Sequence, residues 1–88
     1  MEVLYTKSFI KSYDALPSSL KSEIKEKIIL FCDTKNHNTL HVHKLHGHLK
    51  EQYSFYVNYT FRIVFIYTND KPKKAILLAV GRHEVYNR

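Results

Sequence analysis

The chain has 88 residues, a formal net charge of +6 and a single cysteine, Cys32. That length supplies one small hydrophobic core and excludes a multidomain enzyme, and one cysteine excludes an intrachain disulfide. With 44% hydrophobic residues and twelve aromatics (seven Tyr and five Phe) the composition is that of a folded domain, and no apolar run reaches the roughly 20 residues of a spanning helix.

In chain order, Val3-Leu4-Tyr5-Thr6 is a short β-prone run. Ser8 is the expected cap of a first helix, which places Phe9, Tyr13 and Leu16 on one face. Pro17 breaks that helix and, with Ser18-Ser19, opens a second. There Leu20, Ile24, Ile28 and Phe31 recur every three or four residues, and Glu23 stands four before Lys27 as a supporting pair. Residues 33–51 are polar and His-rich without a clear period, which predicts a connecting loop. Tyr53, Phe55 and Val57 then alternate with Ser54, Tyr56 and Asn58, the pattern of a half-buried strand. Phe61 to Tyr67 is apolar on both faces except at Arg62, as in a central strand. Asn69-Asp70-Lys71-Pro72 is a turn, and residues 74–80 form the last strand. The order β-α-α-β-β-β predicts an α+β fold in one domain over residues 1–88. Its expected form is a small curved antiparallel sheet with the two N-terminal helices packed on one face. Met1-Glu2-Val3 does not open a basic-then-apolar leader, so a soluble protein of a reducing cytoplasm is expected.

The charge is uneven. Residues 1–33 carry five Lys against five acids, whereas residues 34–88 carry nine Lys and Arg against Glu51, Asp70 and Glu84 alone. The excess in the second half calls for an anionic partner, either nucleic acid or an acidic protein segment.

The residues that carry chemistry lie in that half. The run Ala75 to Val80 exits into Gly81-Arg82-His83-Glu84-Val85-Tyr86-Asn87-Arg88. A proton-transfer group, a phenol and fixed cations at one strand end are the parts that handle a phosphate ester; the alternative is a solvated tail. Arg62, a lone charge in an apolar strand, needs either an ion pair (to Glu84 or Glu51) or an anion on the open face of the sheet. Its planar fork suits phosphate. An unperturbed imidazole titrates at about pH 6.5, so His83 can trade a proton near neutrality. Tyr86 can orient a ribose or stack on a base. The segment His41-Val42-His43-Lys44-Leu45-His46-Gly47-His48 holds four imidazoles that zinc or nickel can use, but no cysteine lies nearby and only alternate side chains share a side in an extended segment. No metal or cofactor is expected, and these groups are read as contacts to RNA or solvent. Cys32 is read as core.

Lys44-Leu45-His46-Gly47, then Tyr53-Ser54-Phe55-Tyr56-Val57, then Tyr59-Thr60-Phe61-Arg62-Ile63-Val64-Phe65, then Val80-Gly81-Arg82-His83-Glu84-Val85-Tyr86, resemble in this order the RelE/ParE toxin superfamily. The likeness is to the RelE- and YafQ-type branches of bacterial type II toxin–antitoxin systems and covers essentially the whole chain. It implies a metal-independent mRNA endoribonuclease acting in the ribosomal A site. The ribose 2′-hydroxyl attacks the adjacent phosphate, leaving a 2′,3′-cyclic phosphate and a 5′-hydroxyl. It further implies that Arg62 stabilises the charge growing on phosphorus oxygens, that Tyr86 orients or stacks on a nucleotide, and that His83, where RelE carries an Arg, is general acid or base. Arg82, Lys44 and Lys50 are then phosphate contacts, with His46, His48 and Tyr56 on the RNA-binding surface. RelE has two Lys where Ser54 and Tyr56 stand here, which favours a His-based site, with His43, His46 or His48 as the second proton-transfer group. The implied partners are the ribosome, its mRNA and an antitoxin whose partly disordered segment wraps the basic surface. The same resemblance admits a ParE-like gyrase inhibitor or an inactive antitoxin-binding relative; the set of Arg62, His83 and Tyr86 argues for the nuclease.

Overall fold

Three consecutive apolar strands, and two helices with one apolar face each, leave one economical packing: helices on a single side of a sheet. The computed structural model describes residues 1–47 and 51–87 and has this form. The chain runs β1 (Val3–Tyr5), α1 (Lys7–Asp14), α2 (Ser18–Phe31), β2 (His43–Lys44), β3 (Tyr53–Tyr56), β4 (Arg62–Tyr67) and β5 (Ala75–Gly81), with 3₁₀ turns at Thr34–Asn36 and His83–Asn87. Strand order across the sheet is β1-β5-β4-β3-β2. Strands β3 to β5 form the expected antiparallel meander, and β2 extends it by one antiparallel strand. At its edge β1 pairs with β5 in parallel, so the five-stranded sheet is mixed. A parallel neighbour requires a long connection, and the intervening helices belong to it.

Local details depart from the sequence reading where a distant partner intervenes. Thr6, not Ser8, caps α1: its Oγ accepts from the Phe9 N–H at 3.0 Å. The same hydroxyl donates to the Leu77 carbonyl at 3.0 Å, which ties the cap to β5. Glu23 does not pair with Lys27; its Oε1 accepts from Asn58 Nδ2 at 2.7 Å, joining α2 to the β3–β4 loop. The stretch 33–51, expected as loop, contains β2, which pairs with Tyr53 and Ser54. Cys32 is half-buried at the end of α2 and outside the core.

The core lies between helices and sheet. Phe31 is fully buried, stacked on Phe55 with ring centroids 4.3 Å apart and edge-on to Phe65 at 4.9 Å. Phe9, Ile24, Ile28, Ile63 and Leu77 complete it. Between Val64↔Ala79 and Phe65↔Leu77 the pairing shifts register, leaving Leu78 as an extra residue in β5. This bulge lets Val80 return to the helix side while Ala79 joins Val64 on the other. On that second side Val85 and Tyr86 fold back against Val64, Ala79 and Leu45, so the C-terminal segment packs on the sheet instead of trailing into solvent. Among the described residues no helix is long and apolar enough to cross a membrane.

Candidate active site on the uncovered face of the sheet

Strand alternation delivers the site. Tyr53 and Phe55 of β3 point to the helices, so Ser54 and Tyr56 point away, and the pairs Tyr56↔Arg62 and Arg62↔Gly81 place Arg62 beside them. Its guanidinium carbon lies 3.8 Å from the centre of the Tyr56 ring. Nη1 donates to the carbonyls of Asn58 at 2.8 Å and Phe61 at 3.2 Å. Among the described residues no carboxylate pairs with Arg62, so the ion pair to Glu84 or Glu51 is not formed; Glu51 takes Lys44 at 3.2 Å. Stacking over an aromatic face stabilises the cation without neutralising it, and leaves the remaining N–H groups for an outside anion.

At the end of β5, Arg82 and His83 are exposed, and the Arg82 guanidinium sits 5.7 Å from the Phe61 ring centre. An open cleft of about 630 Å³ is lined by Tyr56, Tyr59, Thr60, Arg62, Arg82, His83 and Glu84. The two arginines and the imidazole therefore share one space.

Tyr86 stands next to it between two imidazoles, with His83 at 5.0 Å and His43 at 6.5 Å, both close to edge-on. The fully buried Ser54 donates its hydroxyl to Tyr86 Oη at 3.2 Å. His43 lies opposite Ser54 on β2 and also meets Tyr56 at 6.4 Å. Its Nδ1 is 2.7 Å from the His41 carbonyl oxygen. A carbonyl can only accept, so Nδ1 is assigned the proton, and a neutral ring then carries its lone pair on Nε2. His41 adopts φ 58, the left-handed region, and its ring lies 4.9 Å from Tyr56.

Arg62, Arg82, His83, Tyr56 and Tyr86 thus form one constellation. Lys44 does not join it: it pairs with Tyr53, which puts it on the opposite side of β2 from His43. His46 is exposed just beyond β2, and His48 and Lys50 lie outside the described residues. Sequence reasoning left His43 among several loop histidines; its alternation with Lys44, and the shared face with Leu45, is the signal that separates it. Ser54 and Tyr56 hold Tyr86 and support Arg62. Among the described residues no three His, Cys, Asp or Glu side chains converge as a metal site.

No protein-family model matches the sequence, and no curated protein matches it. Solved structures do match. A RelE–RelB complex from Pyrococcus horikoshii superposes with a TM-score of 0.67, at 22% identity over 92% of both chains. The RelBE2 toxin–antitoxin complex of Mycobacterium tuberculosis gives 0.68, at 17% identity over 93% of this chain and 96% of that one. A copper-bound mutant toxin from Helicobacter pylori gives 0.68, at 22% identity over 97% of both chains. The chain has the fold of the RelE/ParE toxin superfamily.

Proposed function

We propose that this chain is the toxin of a type II toxin–antitoxin pair, a cytoplasmic endoribonuclease that cuts mRNA in the ribosomal A site without a metal. The observation that supports this reading is the cleft itself, where Arg62, with no ion pair among the described residues, shares one open space with Arg82, His83 and Glu84. A pure binding surface has no need of an imidazole beside two cations. The fold shared with RelE-type toxins supports the same reading.

The reaction follows from these groups. Arg62 and Arg82 hold the non-bridging oxygens of a phosphodiester and stabilise the charge that grows on them. His43 Nε2 takes the proton of the ribose 2′-hydroxyl, whose oxygen forms a new bond to phosphorus. The bond from phosphorus to the 5′-oxygen breaks, and His83, as imidazolium, gives that oxygen a proton. The products are a 2′,3′-cyclic phosphate and a 5′-hydroxyl. Tyr86, its oxygen held by Ser54, positions the ribose between the two imidazoles. The occurrence of two neighbours as toxin–antitoxin complexes supports an antitoxin partner, and the positive excess of residues 34–88 suits an acidic wrapping segment.

The test is inducible expression of the wild type, His83→Ala and His43→Ala, following protein synthesis and mapping mRNA 5′ ends. The expected result is translation arrest with new 5′ ends inside codons, weakened on the order of 10²- to 10⁴-fold in each variant. Arrest without RNA cleavage, or DNA damage in its place, overturns the nuclease and leaves a gyrase-type target. Equal cleavage by all three proteins removes both histidines from the mechanism.

A further inference from the structure

Tyr59 is 94% exposed, more than any other large hydrophobic residue described; Ile29 follows at 72% and Tyr5 at 50%. A single exposed aromatic is ordinary by itself. Two further observations make this one different. First, it lines the same cleft as Arg62, Arg82 and His83, so its ring stands beside a space that gathers two arginines and a histidine. Second, the loop that carries it is pinned. Asn58 Oδ1 accepts from the backbone N–H groups of Thr60 and Phe61, each at 2.8 Å. Val57 N–H donates to the Phe61 carbonyl at 3.0 Å, and Arg62 Nη1 reaches the Asn58 carbonyl. Asn58 Nδ2 fastens the whole turn to Glu23 of α2.

We propose that Tyr59 is the stacking platform for a nucleobase next to the phosphate held by Arg62 and Arg82, an inference that rests on the RNA-cleaving reading above. In-line attack needs a nucleotide strand pulled out of its stack, and each unstacked base then exposes two apolar faces. A flat ring presented at fixed height beside the phosphate site covers one of them. The pinned turn removes most of the ordering cost that a mobile loop carries on binding. Stacking of this kind accepts any base, so Tyr59 contributes affinity and register without reading sequence. The adjacent arginines favour RNA over an apolar protein segment as the occupant, because a protein contact on this ring has to bring two unneutralised cations with it.

The test uses the whole protein and a short fluorescein-labelled oligoadenylate with 2′-O-methyl riboses, which binds without being cut, read by fluorescence anisotropy. Tyr59→Ala is expected to weaken binding roughly 5- to 150-fold, while Tyr59→Phe and Tyr59→Trp keep it. Replacing successive nucleotides by abasic ones locates the contact: at one position the wild type loses affinity and Tyr59→Ala does not. Thermal melting of Tyr59→Ala is expected to match the wild type; if that variant fails to fold, Tyr59→Leu, which keeps side-chain bulk without a flat ring, makes the same comparison in the abasic series. Equal affinity of Tyr59→Ala and wild type overturns the platform but spares the RNA-cleaving reading. No binding of the oligonucleotide by the wild type overturns the platform, and the RNA-cleaving reading is then decided separately by the mapped mRNA 5′ ends. Weakened antitoxin binding with unchanged RNA affinity shows a protein contact and also overturns the platform.

Discussion

The two faces of one sheet are built to opposite rules. Toward the helices, Phe31, Phe55, Phe65, Ile63 and Leu77 are fully buried, and ring contacts such as Phe31 on Phe55 leave little room for change. On the other face the apolar cluster shrinks to Val64, Ala79 and Val85, and the rest is Arg62, Tyr56, His43, Ser54 and Tyr86. The same strands contribute alternate residues to both, so stability and chemistry are separated by a single step along the backbone. The contrast teaches that this small domain concentrates its folding free energy on one side and leaves the other for polar groups.

The sharpest way to break that division is at its extremes. Phe31→Ala is expected to cost about 3–5 kcal/mol, a large share of a small domain's stability, and to be seen in urea melts as a collapse of the transition midpoint. Arg62→Ala should do the reverse. RNA cleavage falls roughly 10²- to 10³-fold while the melting temperature moves by only a few degrees, and Arg62→Lys, without the planar fork, recovers a fraction of the rate. A large loss of stability in Arg62→Ala would place this residue on the structural side of the comparison. Ser54→Ala probes the boundary, because Ser54 is buried yet bonds to Tyr86 beside the cleft. It should cost about 1 kcal/mol in stability and reduce cleavage by loosening Tyr86, whereas Thr6→Ala, with about the same stability loss from the α1 cap, should leave cleavage unchanged. The smallest expected effect is alkaline. Burial, with the neighbouring Tyr53 second, raises the pKa of Tyr67 above its ordinary value of 10.0. Its contribution is therefore fully present below that value and is lost as pH rises through the folded-state pKa. Melting curves taken below and above pH 10.0 should diverge less in Tyr67→Phe than in the wild type.

Much of this was legible in the chain because period is a local property. Ile24, Ile28 and Phe31 announce the buried face of α2, and Tyr53, Phe55 and Val57 that of β3. Arg62 is visible as a charge that its own strand cannot satisfy. Long-range partners are what the sequence does not display. Thr6 outcompetes Ser8 as cap with the help of a carbonyl in β5, and Glu23 abandons Lys27 for an asparagine 35 residues away. Strand β2 has two residues, too few for any period, so His43 reads as one loop histidine among several until Ser54 is placed opposite. Tyr59 follows Tyr53 and Tyr56 in a stretch where only the turn at Asn58 separates packed rings from an exposed one.

The bond between Asn58 and Glu23 has a mechanical meaning. One end of it belongs to the helix layer; the other belongs to the turn whose carbonyl steadies Arg62. A displacement of α2 must either rupture that link or drag the turn along, and with it the guanidinium. Anything that grips the outer surface of α2 therefore has a short lever onto Arg62, and can shift the guanidinium without entering the cleft.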